Sequence, residues 1–199
     1  MIRANHWVAM AAGLALFGIS AGASAAMVAF SPSSGSLGVG GTKSVDVVIS
    51  GLGAASAQSV GVFDIDVLFD SSLLSLGGVT FGTGLDVLGL GSVQIATDGA
   101  PGTVNVFELS LDTPADLDLL QPDSFTLFTL LFEGVVPGTS ALSLAVNAVG
   151  DAEGVGIDVG VSGGELTVTD VSVVPLPAAA WLLLSGLAGL GVLGRRKRH

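Results

Sequence analysis

The sequence contains no cysteine and no tyrosine, and its 2 histidines and 2 tryptophans stand only near its ends: His6 and Trp7 at one, Trp181 and His199 at the other. Between them no side chain supplies a thiolate or an imidazole. That excludes disulfide bonding, zinc held by histidine or cysteine, and a Ser-His-Asp relay from the middle of the chain. Positive charge is almost as scarce. Lys43 is the single cation between Arg3 and Arg195, while all 17 acidic residues lie from Asp46 to Asp170. So acidic a surface repels phosphate backbones, which excludes nucleic acid as a partner. Paired carboxylates leave a glycosidase as the one catalytic route open. Sugar clefts usually stack their substrate on aromatic rings, and here only phenylalanine is on offer. The chain is therefore expected not to be an enzyme. No catalytic, cofactor-binding or metal-ligating residue is assigned.

What the sequence does carry is most explicit at its two ends. Arg3 and His6 precede an apolar stretch from Val8 to Ile19, and Ala23-Ser24-Ala25 offers small residues to a peptidase. Residues 1–25 thus read as a signal peptide with Ala23 and Ala25 as its cleavage residues, cut after Ala25, with Ala26 as the next candidate. At the far end, Pro175 and Pro177 fix φ and lack backbone donors, so the chain there is extended. The uncharged run from Ala178 to Gly194 spans roughly 25 Å at about 1.5 Å per residue, the short end of what crosses a membrane. Gly186, Gly189, Gly191 and Gly194 suit such a helix, Trp181 suits its interface, and Arg195, Arg196, Lys197 and Arg198 should stay cytoplasmic. Read as a plain span, the tail makes a permanently anchored single-pass envelope protein.

Val174-Pro175-Leu176-Pro177, the apolar run with Trp181 and the closing Arg195-Arg196-Lys197-Arg198 cluster together resemble the PEP-CTERM sorting signal over residues 174–199. Where that family carries Pro-Glu-Pro, this chain has Pro-Leu-Pro. The resemblance implies recognition by an exosortase, a membrane transpeptidase of Gram-negative bacteria that make extracellular polysaccharide. It further implies a precursor anchored in the inner membrane through residues 178–194, and then a place at the cell surface or in the extracellular matrix.

Between the ends the pattern is that of strands. Phe63, Ile65, Val67 and Phe69 alternate with Asp64, Asp66, Leu68 and Asp70, and Val45, Val47 and Ile49 alternate with Ser44 and Asp46. Further strands are expected at Val93–Thr97, Thr103–Leu111, Phe125–Glu133, Leu142–Val146, Val155–Val161 and Glu165–Thr169. Gly40-Gly41, Gly77-Gly78, Asp98-Gly99 with Pro101-Gly102, Pro137-Gly138 and Gly163-Gly164 punctuate them as turns. Phe125–Phe132 is apolar on both faces, as a central strand would be, and Pro114–Leu120 suits one short turn of helix. The expectation is an all-β fold, a single sandwich of eight or nine strands over residues 27–173. Asp64, Asp66 and Asp70 are close enough along the strand to raise a shared Ca²⁺, but one strand face supplies few of the oxygens that Ca²⁺ needs. A solvated acidic face is the favoured reading, and Asp70 is expected to accept backbone N–H groups at the corner. Asp151, Glu153 and Asp158 lack the ligand spacing of an EF-hand, and Asp116 and Asp118 read as a solvated rim.

The segment from Ser59 to Leu76, with Val-Gly-Val-Phe-Asp-Ile-Asp-Val-Leu-Phe-Asp and then Leu73-Leu74, resembles the early strands of a cohesin domain; the close at Asp151–Val168 resembles its end. This implies a nine-stranded jelly roll of the wider group that includes carbohydrate-binding modules, and an adhesive or docking role. The expected function is a non-enzymatic exported protein, sorted by an exosortase and associated with exopolysaccharide. The alternative is a module that binds polysaccharide or a dockerin-like protein.

Overall fold

The computed structural model describes residues 26–53 and 58–170. Eleven strands and one short helix follow in order: β1 (Ala26–Ser31), β2 (Ser34–Gly38), β3 (Thr42–Ser50), β4 (Val60–Leu68), β5 (Leu74–Phe81), β6 (Ser92–Asp98), β7 (Thr103–Ser110), α1 (Pro114–Leu120), β8 (Phe125–Gly134), β9 (Gly138–Asp151), β10 (Val159–Ser162) and β11 (Gly164–Thr169). They form two sheets, β10-β1-β3-β8-β5 and β2-β11-β9-β4-β7-β6. The all-β sandwich is as expected; the strand count is higher than eight or nine. β2 is too short and too serine- and glycine-rich to signal alternation on its own, and β1 is apolar on both faces.

The chain changes sheet at every connection except that from β6 to β7, and two of the changes, from β1 to β2 and from β10 to β11, run side by side. β1 lies parallel to β10 in one sheet and β2 parallel to β11 in the other. Gly164 sits at the second of these two, where an added Cβ would stand 2.7 Å from the Ser33 carbonyl oxygen. Only glycine permits that approach.

Alternation sets the core. Phe63, Ile65 and Val67 of β4 and Val104 and Val106 of β7 point inward against Val45, Val47 and Ile49 of β3 and Phe128, Leu130 and Phe132 of β8, all essentially inaccessible. Phe63 and Phe128 stack across the sheet interface with ring centroids 5.7 Å apart. Phe69 meets Phe132 edge-on at 5.2 Å.

Two departures from the sequence expectation have one cause, the β-bulge. Gly77-Gly78 is not a turn but lies inside β5, where the register with β8 skips between Leu76 and Gly78. The doubly apolar look of Phe125–Phe132 also comes from a bulge. The register with β3 passes from Phe128 to Thr126, so Leu127 and Phe128 both turn to the core, while Leu131 stays exposed. A third departure is the stretch 155–161, of which only Val159 onward is strand. Helix α1 does form at Pro114–Leu120, with Thr113 as N-cap: its hydroxyl oxygen accepts from the Asp116 N–H at 3.3 Å and donates to Asp116 Oδ2 at 2.5 Å.

Candidate docking face

β4 runs through the middle of the larger sheet, between β9 and β7, and its polar positions face away from the core. Cross-strand registers then arrange the outer face in rows. One row reads Val93, Leu109, Val62. The next is Ile95, Phe107, Asp64, Ala148, and the third is Thr97, Asn105, Asp66, Ala145. A fourth pairs Thr103, Leu68 and Ser143. One end of the face is thus apolar, the centre carries carboxylates and amides, and the β9 side carries small residues.

The centre is organised. Asn105 Nδ2 donates to Asp64 Oδ1 at 2.6 Å and to Asp66 Oδ1 at 2.8 Å, so one amide binds both carboxylates. Asn147 Nδ2 adds a bond to Asp64 Oδ1 at 3.2 Å. Asn147 is the extra residue of a bulge in β9, where the register with β4 passes from Ala148 to Val146. Both Asp64 and Asp66 keep Oδ2 without a protein partner among the described residues. Around them Val93, Ile95, Leu109 and Leu68 are each between 40% and 49% exposed. Single exposed aliphatics are ordinary, but Val93, Ile95 and Leu109 stand together in adjacent rows beside the fixed carboxylates, and Leu68 lies beyond them.

The face does not include Asp70, so the three aspartates of the β4 region do not converge. Asp70 Oδ1 accepts from the backbone N–H of Ser72 at 2.9 Å and from its hydroxyl at 2.6 Å, the corner role expected of it. The Ser72 hydroxyl first, and its N–H second, hold the Asp70 carboxyl below the usual carboxylate range. The other acidic stretches are occupied in the same way. Asp151 Oδ1 accepts from the N–H groups of Glu153 and Val155. Asp118 accepts from the Ser59 hydroxyl, and Asp123 from the N–H of Gly53. The 112–123 segment, exposed at Thr113, Pro114, Ala115 and Asp118, is tied to the body of the domain by these bonds. Gln121 adds to this, its side-chain amide pairing with both N–H and C=O of Val60 and with the Gly84 carbonyl. Among the described residues no cluster of three or more acidic residues is placed to hold a metal ion.

Two buried carboxylates escaped the sequence reading. Glu108 occupies an inward position of β7, in phase with Val104 and Val106, and is fully buried. Its Oε1 accepts from the Ser92 hydroxyl at 2.6 Å and from Gln94 Nε2 at 2.9 Å, while Oε2 has no partner among the described residues. Burial raises the Glu108 carboxyl above its ordinary value; the bonds from Ser92 and Gln94 oppose the rise and the Asp86 charge adds to it. Asp112 holds the 82–91 loop by accepting from the N–H groups of Val87 and Leu88. The in-phase run Val104, Val106, Glu108 was the available signal.

Of the sequence-assigned sites, Ala23 and Ala25 and the tail residues Val174, Pro175, Leu176, Pro177, Trp181, Arg195, Arg196, Lys197 and Arg198 lie outside the described residues. Among the described residues no helix is long and apolar enough to cross a membrane.

The fold is that of cohesin modules. The cohesin CaCohA2 of Clostridium acetobutylicum is similar at 25% identity over 73% of this chain and 91% of its own, with a TM-score of 0.54. A type I cohesin of Clostridium thermocellum, solved in complex with a dockerin, matches at 14% identity over 73% of this chain and 100% of its own, TM-score 0.58. A non-cellulosomal cohesin of Archaeoglobus fulgidus matches at 16% identity, over 73% and 92%, TM-score 0.56. No protein-family model and no curated protein matches the sequence. The class defined by the fold is thus a cohesin-like β-sandwich.

Proposed function

We propose that this chain is a non-enzymatic adhesive module that holds a dockerin-like protein against the outer face of β9, β4, β7 and β6. The observation that carries the reading is the pairing of Asp64 and Asp66, clamped by Asn105, with the exposed Val93, Ile95 and Leu109 and the half-buried Phe107 beside them. The clamp fixes two carboxylates in advance, so a partner meets them without ordering cost. Their free Oδ2 atoms accept hydrogen bonds from hydroxyl or basic donors, and the apolar rows take aliphatic side chains. Support also comes from cohesin-like structures solved with dockerins bound.

The test uses dockerin modules encoded by the same organism, expressed singly and titrated calorimetrically against the purified chain. At least one should bind, and Asn105→Ala, which releases both carboxylates, should weaken it about fivefold, close to 1 kcal/mol. No binding by any dockerin, or an unchanged affinity in Asn105→Ala, overturns the reading.

Export and display are the second half of the proposal. A signal peptide over residues 1–25 and an exosortase acting on the Pro175–Pro177 region would deliver the module to the surface or the polysaccharide matrix of a Gram-negative bacterium. Support is the order of the motif, the apolar run and the basic cluster Arg195–Arg198. Truncation after Gly194 should abolish processing and leave the tail on the protein. An unaltered mature mass and location in the truncated strain would sink the sorting claim.

A further inference from the structure

Each sheet exposes two edges, and three of the four edge strands are blunted in ways that prevent pairing. β10 has 4 residues, β2 has 5 with Gly35 and Gly38 among them, and β5 is broken by the bulge at Gly77. β6 is different. Its 7 residues, Ser92–Asp98, pair with β7 in unbroken register and contain no proline, lysine or glycine. Residues Val93 to Asp98 are all exposed. Among the described residues the backbone groups of β6 bond only to β7, which leaves a row of donors and acceptors open on its far side.

We propose that this edge pairs with β6 of a second copy of the chain, antiparallel about Ile95, joining two six-stranded sheets into one. An open ladder edge calls for an extended strand, and the residues of β6 select their own copy. Centred on Ile95, the pairing sets Ile95 against Ile95, Val93 against Thr97, Gln94 against Ala96 and Ser92 against Asp98. The outer face then carries an unbroken line of β-branched side chains, the pairs that stabilise antiparallel strands. It continues inward onto Phe107 and Leu109 of β7.

Charge favours the same arrangement. With 17 acidic residues and almost no cations between the two ends, most of this surface repels a second copy. β6 carries one carboxylate, Asp98, at its last position. The antiparallel register sets it opposite a serine hydroxyl, whereas a parallel register would set it beside Asp98 of the partner. Antiparallel pairing also satisfies a two-fold axis, so one contact closes the dimer. The outer face stays open, and the pairing stands whether or not a dockerin-like partner binds there.

The experiment is sedimentation velocity on the full chain in mild detergent, at about 50 and about 500 mM NaCl. A dimer is expected, its fraction rising with salt as repulsion between the acidic sandwiches is screened. Ile95 is 49% exposed, so Ile95→Lys and Ile95→Glu should keep the parent circular dichroism spectrum. Each sets like charges opposite one another across the axis, and each should raise the dimer dissociation constant about tenfold or more. An equimolar mixture of the two should recover dimer, as Lys meets Glu. A parent chain that stays monomeric at the higher salt overturns the proposal. So does an undiminished Ile95→Lys dimer, or a mixture that stays monomeric.

Discussion

Phe63→Ala is expected to destabilise the domain by about 3–5 kcal/mol, the cost of a large cavity at a site that cannot collapse. Phe63 comes from the larger sheet and Phe128 from the smaller, both fully buried, and their stacked rings are the central contact between the two layers. Removing one ring leaves the other facing empty space, while the backbones are held apart by the ladders on either side. For a domain of this size the midpoint of thermal unfolding should fall by roughly 10–15 °C. Phe63→Leu keeps most of the volume and should lose less than about 2 kcal/mol. Urea unfolding of the three proteins checks this, and similar midpoints for Phe63→Ala and the parent would show that the ring pair is not central.

Glu108→Gln is expected to do the opposite and stabilise the domain at neutral pH, by about 2 kcal/mol, because a buried anionic oxygen without a partner is costly. The carboxyl sits above its ordinary value in the folded state, so folding favours its protonated form. At pH below the ordinary glutamate value both states are protonated and no penalty exists. As pH rises toward the raised value the unfolded state ionises first, and stability falls through that window. Glutamine keeps an acceptor for the Ser92 hydroxyl and cannot ionise. The stability difference between variant and parent should therefore be near zero at about pH 4 and grow toward pH 7. Taking the difference cancels the titration of the other carboxylates. A difference that is flat with pH would mean that Glu108 is solvated or partnered.

The two substitutions mark how far local pattern reaches. Phe63 was legible, because its neighbours Asp64 and Asp66 alternate with Ile65 and Val67 and only one face of a strand is buried. Glu108 was not, because a single carboxylate in an inward position is contradicted by its own chemistry until the partners Ser92 and Gln94 are seen. The docking face divides the same way. Asp64 and Asp66 were placed on one outward face from spacing alone. Asn105 and Asn147, which clamp them, lie 39 residues from Asp66 and 83 residues from Asp64 respectively. Nothing local connects them.

Composition and periodicity alone determined that the middle of this chain is an acidic all-β domain without the side chains for histidine or thiol chemistry. They also determined which face of β4 is wet, because burial of one strand face imposes a period of two. The tertiary structure decided strand order, the bulges and the free edge. These depend on which distant segments hydrogen-bond side by side, and that pairing is set by the packing of two whole sheets. It made the proposed docking face from Asp64, Asp66 and Asn105, sent Leu127 and Phe128 to the same side, and, among the described residues, left β6 with no neighbour beyond β7.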